Sequence, residues 1–386
     1  MKNNPIGPLT SLDEQFCHQI VDTFAVVDST DPSWTEKVCA MAAARDGSLQ
    51  LGFGLGKYNN RNVMDCYAGV SRGVEQITVR ASRRLSPEVE LTAVGPISYE
   101  IVEPYRKVRF TLAPSDNQPI SFDWLFEAAL PPHFEDRTHL RSGARVTAEL
   151  VRYHQIGRCC GWVDIDGQRV ELTPDTWVST RDHSWGARYG VGVPPTDGEP
   201  SPGLERGSFQ FAWSPNYLER PDGSHYGIFL TFSHTRVPGT DHKEAYGLIQ
   251  EPDGRSELIV GIEPDVSYNP VNRRFLGGRL QLTLADGSQR QLEVEAVSDT
   301  GFHLGTGLYF GLDGHYHGEW RGDLHVDGER IADCSALETA RRVHQIRDTV
   351  VRIKDPSGGG QGWGNWQPIA TGEIPELGLS AETSFI

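Results

Sequence analysis

The chain has 386 residues, a length that suits two cores of ordinary size rather than one. Its 38% hydrophobic residues and nine tryptophans exclude global disorder. A formal net charge of −16 excludes a phosphate-tracking surface, which needs clustered Lys and Arg, so no nucleic-acid partner is expected.

In chain order, Met1 to Leu12 carries Pro5 and Pro8 and no apolar core of signal-peptide length. No later stretch approaches the roughly 18 apolar residues of a membrane span, so a cytoplasmic protein with no membrane span is expected. Ser11 followed by Glu14 offers a capping box for a helix over Glu14 to Phe24. Val74 to Arg80, Ser98 to Val102, Val108 to Leu112 and Ile120 to Glu127 are rich in β-branched and aromatic residues and predict strands. Trp162 to Ile165, then Asp166-Gly167, then Val170 to Leu172 alternate apolar and polar residues across a turn dipeptide, which predicts a hairpin with one wet face. Gly190 to Gly207 is a Pro/Gly/Asp-rich excursion, too long for a hairpin loop and expected as a lid or connector. Arg279 to Leu284, Asp286-Gly287 and Gln291 to Glu295 form the clearest hairpin signal. Asp-Gly recurs at Asp222, Asp253, Asp313 and Asp327, where type I′ turns are expected. A second helix is expected over Ser335 to Ile346, and Gly358 to Gly362 forms a flexible tract.

These elements predict an all-β fold of antiparallel strands in two domains, 1–178 and 179–386. Six cysteines (Cys17, Cys39, Cys66, Cys159, Cys160 and Cys334) include no C-x-x-C pair, so reduced, mostly buried thiols are expected.

Three motif matches carry less chemistry than they suggest. Gly52-Phe53-Gly54-Leu55-Gly56 lacks the spacing of a dinucleotide loop and is followed by no helix start, so it reads as a glycine-rich strand end. Gly69-Val70-Ser71-Arg72-Gly73 matches a nucleophile elbow, but a strand follows it where the elbow needs a helix. On a strand, His315, His317 and Glu319 point the same way and offer two imidazoles and a carboxylate for a metal-dependent oxygenase. The plainer reading is a polar strand face that supplies hydrogen bonds to a cavity, with no metal.

Arg181-Asp182-His183-Ser184-Trp185-Gly186-Ala187-Arg188 concentrates a carboxylate, an imidazole, an indole and guanidinium groups. If extended, it turns Asp182, Ser184 and Gly186 to one side and Arg181, His183 and Trp185 to the other. An imidazole beside an indole face moves protons and shelters a cation. The alternative is an Asp182 to Arg188 ion pair pinning a domain junction, with Trp185 as ordinary core.

At this motif the chain resembles bacterial relatives of carotenoid 1,2-hydratase and the AttH-like proteins. Tyr58 to Asp65, Tyr99 to Pro104 and His317 to Gly322 look like further segments of that family in order. The resemblance implies two lipocalin-like β-barrel lobes packed together, a hydrophobic cavity between them, and chemistry that requires no cofactor. It matches the His-x-Trp pair of the hydratases to His183 and Trp185, where Trp185 would stabilise a carbocation through its π face. The acidic residue expected on the next strand is missing from Phe209-Gln210-Phe211-Ala212-Trp213, which leaves Asp182 or His183 as acid or base, tuned by Arg181 or Arg188. Trp213, Tyr217, Tyr226, Tyr309 and Trp320 are then expected to line the cavity, with His315 and His317 as further substrate contacts. The expected function is a cofactor-independent lyase or isomerase, hydratase or dehydratase in type, acting on an apolar or aromatic small molecule. A non-catalytic carrier of a hydrophobic ligand is the alternative from another class.

Overall fold

The computed structural model describes residues 8–18, 21–198 and 207–385, and the chain is almost all-β. The first half forms β1 (Trp34–Ala44), β2 (Gln50–Tyr58), β3 (Val63–Arg72), β4 (Glu75–Arg84), β5 (Ala93–Val94), β6 (Ile97–Glu103) and β7 (Lys107–Leu112). It continues through β8 (Ile120–Ala128), β9 (His133–Phe134), β10 (Thr138–Ser142), β11 (Arg145–Ile165), β12 (Gln168–Leu172) and β13 (Trp177–Ala187). The second half forms β14 (Ser208–Glu219), β15 (His225–Val237), β16 (Thr240–Gln250), β17 (Ser256–Tyr268), β18 (Phe275–Leu284) and β19 (Gln289–Ala296). β20 (Phe302–His303), β21 (Leu324–Ile331), the short helix α1 (Leu337–Arg342), β22 (Arg347–Asp355) and β23 (Gly360–Thr371) complete it.

The first sheet runs β21-β4-β3-β2-β1-β13-β11-β8-β7-β6-β5, and its β5–β6 edge curls back against β3 and β4, so it is a nearly closed barrel. The second sheet runs β19-β18-β17-β16-β15-β14-β23-β22-β20, and pairing of β19 with β22 closes it. Alternation along each strand fills the two interiors. Val38, Phe53, Phe110, Trp124 and Phe126 belong to the first core, and Tyr226, Phe275, Leu280 and Trp366 to the second. A third cluster of Met41, Ala43, Ile156, Val178, Tyr217, Phe229 and Val350 joins the barrels.

The boundary expected near Ser179 falls inside β13, which stays in the first sheet along its whole length. The second sheet begins only at Ser208, and β21 returns from the second half to pair with β4. Part of the expected excursion, residues 199–206, lies outside the described residues.

The expected helix over Glu14 to Phe24, of which residues 19–20 lie outside the described residues, is a single 3-10 turn at Ser11–Glu14, with Thr10 and Asp13 forming the capping box. Phe16 and Val21 are fully exposed, so no apolar face is buried to hold a longer helix. Type I′ angles occur at Asp166-Gly167 (φ 56° and 78°) and Asp313-Gly314 (φ 50° and 86°). At Asp222, Asp253 and Asp286 only the following glycine has positive φ, and Asp327-Gly328 lies within β21. The glycines of β2 have a packing reason: Phe53 and Leu55 enter the first core, while Gly52 and Gly54 lie under the Phe302 and Tyr67 rings. No helix among the described residues is long and apolar enough to cross a membrane.

Candidate active site

β13 lies between β1 and β11, and its register sets His183 opposite Val38 and Tyr153, and Asp182 opposite Cys39 and His154. Val38 and Ala40 point into the first barrel and Met41 and Ala43 toward the second, so the pleat divides the Arg181 to Arg188 segment between two environments. Arg181, His183 and Trp185 face the interior side of the first barrel, and Asp182 and Ser184 face the second. The expectation that His183 and Trp185 share one environment holds, with ring centroids 5.7 Å apart and edge-on. That environment is the end of the first barrel, where both side chains are partly exposed.

At this mouth His183 Nε2 lies 2.8 Å from Glu36 Oε1, and His183 Nδ1 lies 3.0 Å from the Tyr153 hydroxyl. A carboxylate only accepts, so Nε2 carries the hydrogen, and Nδ1 is the atom that can accept from Tyr153 when the ring is neutral. Burial pushes the Glu36 carboxyl up, but the hydrogen bond and charge of His183, with help from Lys57, outweigh it and hold the group low. Tyr153 is raised, first by burial, so it stays protonated at neutral pH. The side chains of His183 and Glu36 remain 18% and 42% exposed, which makes the pair reachable from solvent. Trp185, Phe134 and Tyr105 ring the opening, with Phe134 6.3 Å from Trp185 and Tyr105 5.6 Å from Tyr153. Tyr105 has a positive φ of 62°, and its carbonyl accepts from Gln155 Nε2 at 2.7 Å. Gln155 Oε1 in turn accepts from Arg181 Nη2 at 2.5 Å.

On the other face, Lys37 is 4% exposed and its Nζ lies 2.8 Å from His317 Nε2 and 3.8 Å from the centre of the Tyr309 ring. The Tyr309 hydroxyl meets Cys39 Sγ at 2.7 Å, and Asp65 accepts from Tyr58 at 2.9 Å and from Gly318 N at 2.7 Å. Burial lowers Lys37 to about 8 and His317 to about 4. Asp182 pairs with Arg152 at 3.3 Å rather than with Arg188, which donates to Ser184 Oγ at 2.6 Å. Arg152 also reaches Glu135, the acceptor of Trp213 Nε1 at 3.1 Å, so this network crosses from the first barrel to the second.

The residues expected from the sequence therefore separate. The mouth gathers Arg181, His183 and Trp185, and the inter-barrel face gathers Asp182, Arg188, Trp213, Tyr309 and His317. Tyr217 lies between barrels at another point, with its hydroxyl accepting from Arg158 at 2.7 Å. Tyr226 is sealed in the second core, donating to Asp355 at 2.6 Å, and Trp320 is 50% exposed. His315 and Glu319 pair on the surface at 2.9 Å while His317 points inward, because 311–319 is a series of turns and not a strand. Among the described residues no cluster of His, Cys, Asp and Glu gathers to hold a metal. Glu36, Lys37, Asp65, Tyr153 and Gln155 were not singled out. The signal available was a glutamate and a lysine at the start of the apolar run Val38 to Ala44.

A family model described as "Family of unknown function (DUF8625)" matches residues 9–375. No curated protein matches the sequence. Similar solved structures include a protein of Nitrosomonas europaea provisionally assigned as AttH, 12% identical, covering 87% of this chain and 91% of that one with a TM-score of 0.49. Kievitone hydratase from Nectria haematococca is 11% identical, with 86% and 88% of the two chains covered and a TM-score of 0.43. CghA with Sch210972 is 11% identical, with 88% of each chain covered and a TM-score of 0.47. Identities and scores this low carry no inference about substrate or activity.

Proposed function

Because the chain belongs to the DUF8625 family, whose function is unknown, we infer its activity from the site, and propose an enzyme of lyase or isomerase type working by acid–base chemistry. Its proposed substrate is an apolar or aromatic small molecule held at the mouth of the first barrel. The observation that carries this reading is the chain of hydrogen bonds from Tyr153 through His183 to Glu36, open to solvent and ringed by aromatic side chains. A substrate proton passes to the Tyr153 oxygen as the Tyr153 proton passes to His183 Nδ1, and Glu36 stabilises the resulting imidazolium. The reverse transfer delivers a proton, as loss or addition of water or a double-bond shift requires. Trp185, edge-on to His183, sits where its π face can offset positive charge developing on carbon.

The test is untargeted mass spectrometry of a small-molecule extract incubated with the protein in D2O. The wild type is expected to convert at least one compound with deuterium uptake. His183→Gln and Tyr153→Phe are expected to slow that conversion by about 10²- to 10⁴-fold while remaining folded. A compound that is retained and returned chemically unchanged supports the carrier instead, and conversion at the wild-type rate by both variants removes the relay from the mechanism.

A further inference from the structure

We propose that the substrate at this mouth carries a carboxylate, and that Arg181 is the residue that binds it. This deepens the reading above and rests on it for the location of the site.

Arg181 is 3% exposed, and among the described residues no carboxylate pairs with it. Its guanidinium reaches Gln155 Oε1 at 2.5 Å and, at a long 3.4 Å, the Tyr99 hydroxyl, while its Nε is buried without a hydrogen-bond partner. Other buried arginines have more acceptors, although Arg273 Nε and Arg152 Nε also lack a hydrogen-bond partner. Arg273 donates to the carbonyls of Ala370, Gly372 and Ser380, and Arg347 to those of Gln345, Thr300 and Asn272. Arg152 has the carboxylates of Asp182 and Glu135. Arg181 has one short acceptor and one long one, both neutral, and a buried cation with so few acceptors is costly.

The neighbours cannot provide a counter-charge. Burial pushes the Tyr99 hydroxyl up to about 12 and also raises Tyr153, so both stay neutral at physiological pH. Glu36 is engaged by His183 and has Lys57 beside it. A planar monoanion fits the guanidinium fork. The walls specify the rest of the ligand. The Phe126 and Tyr153 rings stand 5.7 and 5.4 Å from the guanidinium carbon, and Trp185, Phe134 and Tyr105 line the exit. A single cation in an aromatic setting suits a carboxylate on an apolar body better than a phosphate, whose second charge would lack a partner. Arg181 and His183 are two residues apart on one face of β13, so an acid anchored at Arg181 lays its adjoining carbons beside the relay.

Calorimetric titration at neutral pH with 4-phenylbutyrate and decanoate, each against its primary amide, tests the assignment. The acids are expected to bind about ten- to a hundredfold more tightly than the amides. Arg181→Gln should erase that difference and Arg181→Lys should keep part of it. Equal binding of acid and amide by the wild type, or no binding of either acid at millimolar concentration, overturns the proposal even if Arg181→Gln fails to fold. His183→Gln is expected to keep acid binding while losing turnover. Loss of turnover in His183→Gln with no preference for acids would leave the relay standing and remove only the carboxylate.

Discussion

Replacing Lys37 by methionine removes a buried amine and keeps its length. Lys37 sits among Asp65 on β3, Asp182 on β13, Cys39 on its own strand, and Arg188, Tyr309 and His317 on the covering segments. Burial lowers its pKa to about 8, against 10.5 for a free side chain. Below pH 8 the ammonium is present in both folded and unfolded chains, and the folded state bears the full cost of burying it. Between about 8 and 10.5 the unfolded chain keeps a proton that the folded protein has released, so stability rises with pH through that window. At about 1.4 kcal/mol per pH unit the rise is about 3 kcal/mol, and Lys37→Met should lack it. At pH 7 the variant should be more stable than the wild type by about 2 kcal/mol, once about 1 kcal/mol is allowed for the hydrogen bond lost to His317. Urea unfolding followed by tryptophan fluorescence at stepped pH measures both curves. Parallel pH profiles for the two proteins, or a variant less stable throughout, would mean that Asp65 and Asp182 hold the ammonium charged and that burial is not the ruling effect.

Two further outcomes follow from the same geometry. Burial alone would raise Glu135, but the charges of His154 and Arg152, with the hydrogen bond from Trp213, bring it down to about 2. Its contribution is present above the ordinary value of 4.5 and is lost as pH falls toward 2, so the wild type should lose about 3 kcal/mol more than Glu135→Gln over that interval in acid-titrated urea melts. Equal losses would show that the ion pairs of Glu135 with Arg152 and His154 are not formed in solution. Gly186 has a φ of 131°, and an added Cβ would overlap the Glu149 carbonyl and Leu150. Gly186→Ala should therefore lower stability by at least about 2 kcal/mol, and a urea midpoint within about 0.5 kcal/mol of the wild type would contradict the strand path at the mouth.

The hairpins were legible because period-two alternation and turn dipeptides are local signals, and Gln289–Ala296 follows Phe275–Leu284 as Arg279 to Glu295 suggested. The extent of the first sheet was not, since β13 and β21 join it through partners far away in sequence: Val38 meets His183, and Arg80 meets Asp327. The same limit governs the site. Side-chain alternation within Arg181 to Arg188 could be read from residue order alone, but which face met which barrel depended on pairing. Glu36 and Tyr153 come to His183 from the strands on either side, 147 and 30 residues away, and no pattern near His183 announces them. Aromatic residues were the poorest guide, because Tyr226 and Tyr217 satisfy their hydroxyls with Asp355 and Arg158 inside packed regions.

The division of β13 gives its two faces different work on the proposed reading. Tyr153 lies on β11 between Arg152 and His154, whose side chains point to the second barrel. Arg152 is held by Asp182 and Glu135, and His154 stacks on Trp213 at 5.1 Å, so docking of the second barrel fixes the segment of β11 that carries the relay phenol. No proton needs to cross the sheet for this to matter. A relay of two hydrogen bonds tolerates little displacement, and the residues behind it keep neighbouring strands in register. Asp182, expected from the sequence as an acid or base, is on this account a positioning residue, and the chemistry belongs to the neighbour that the pleat turns the other way.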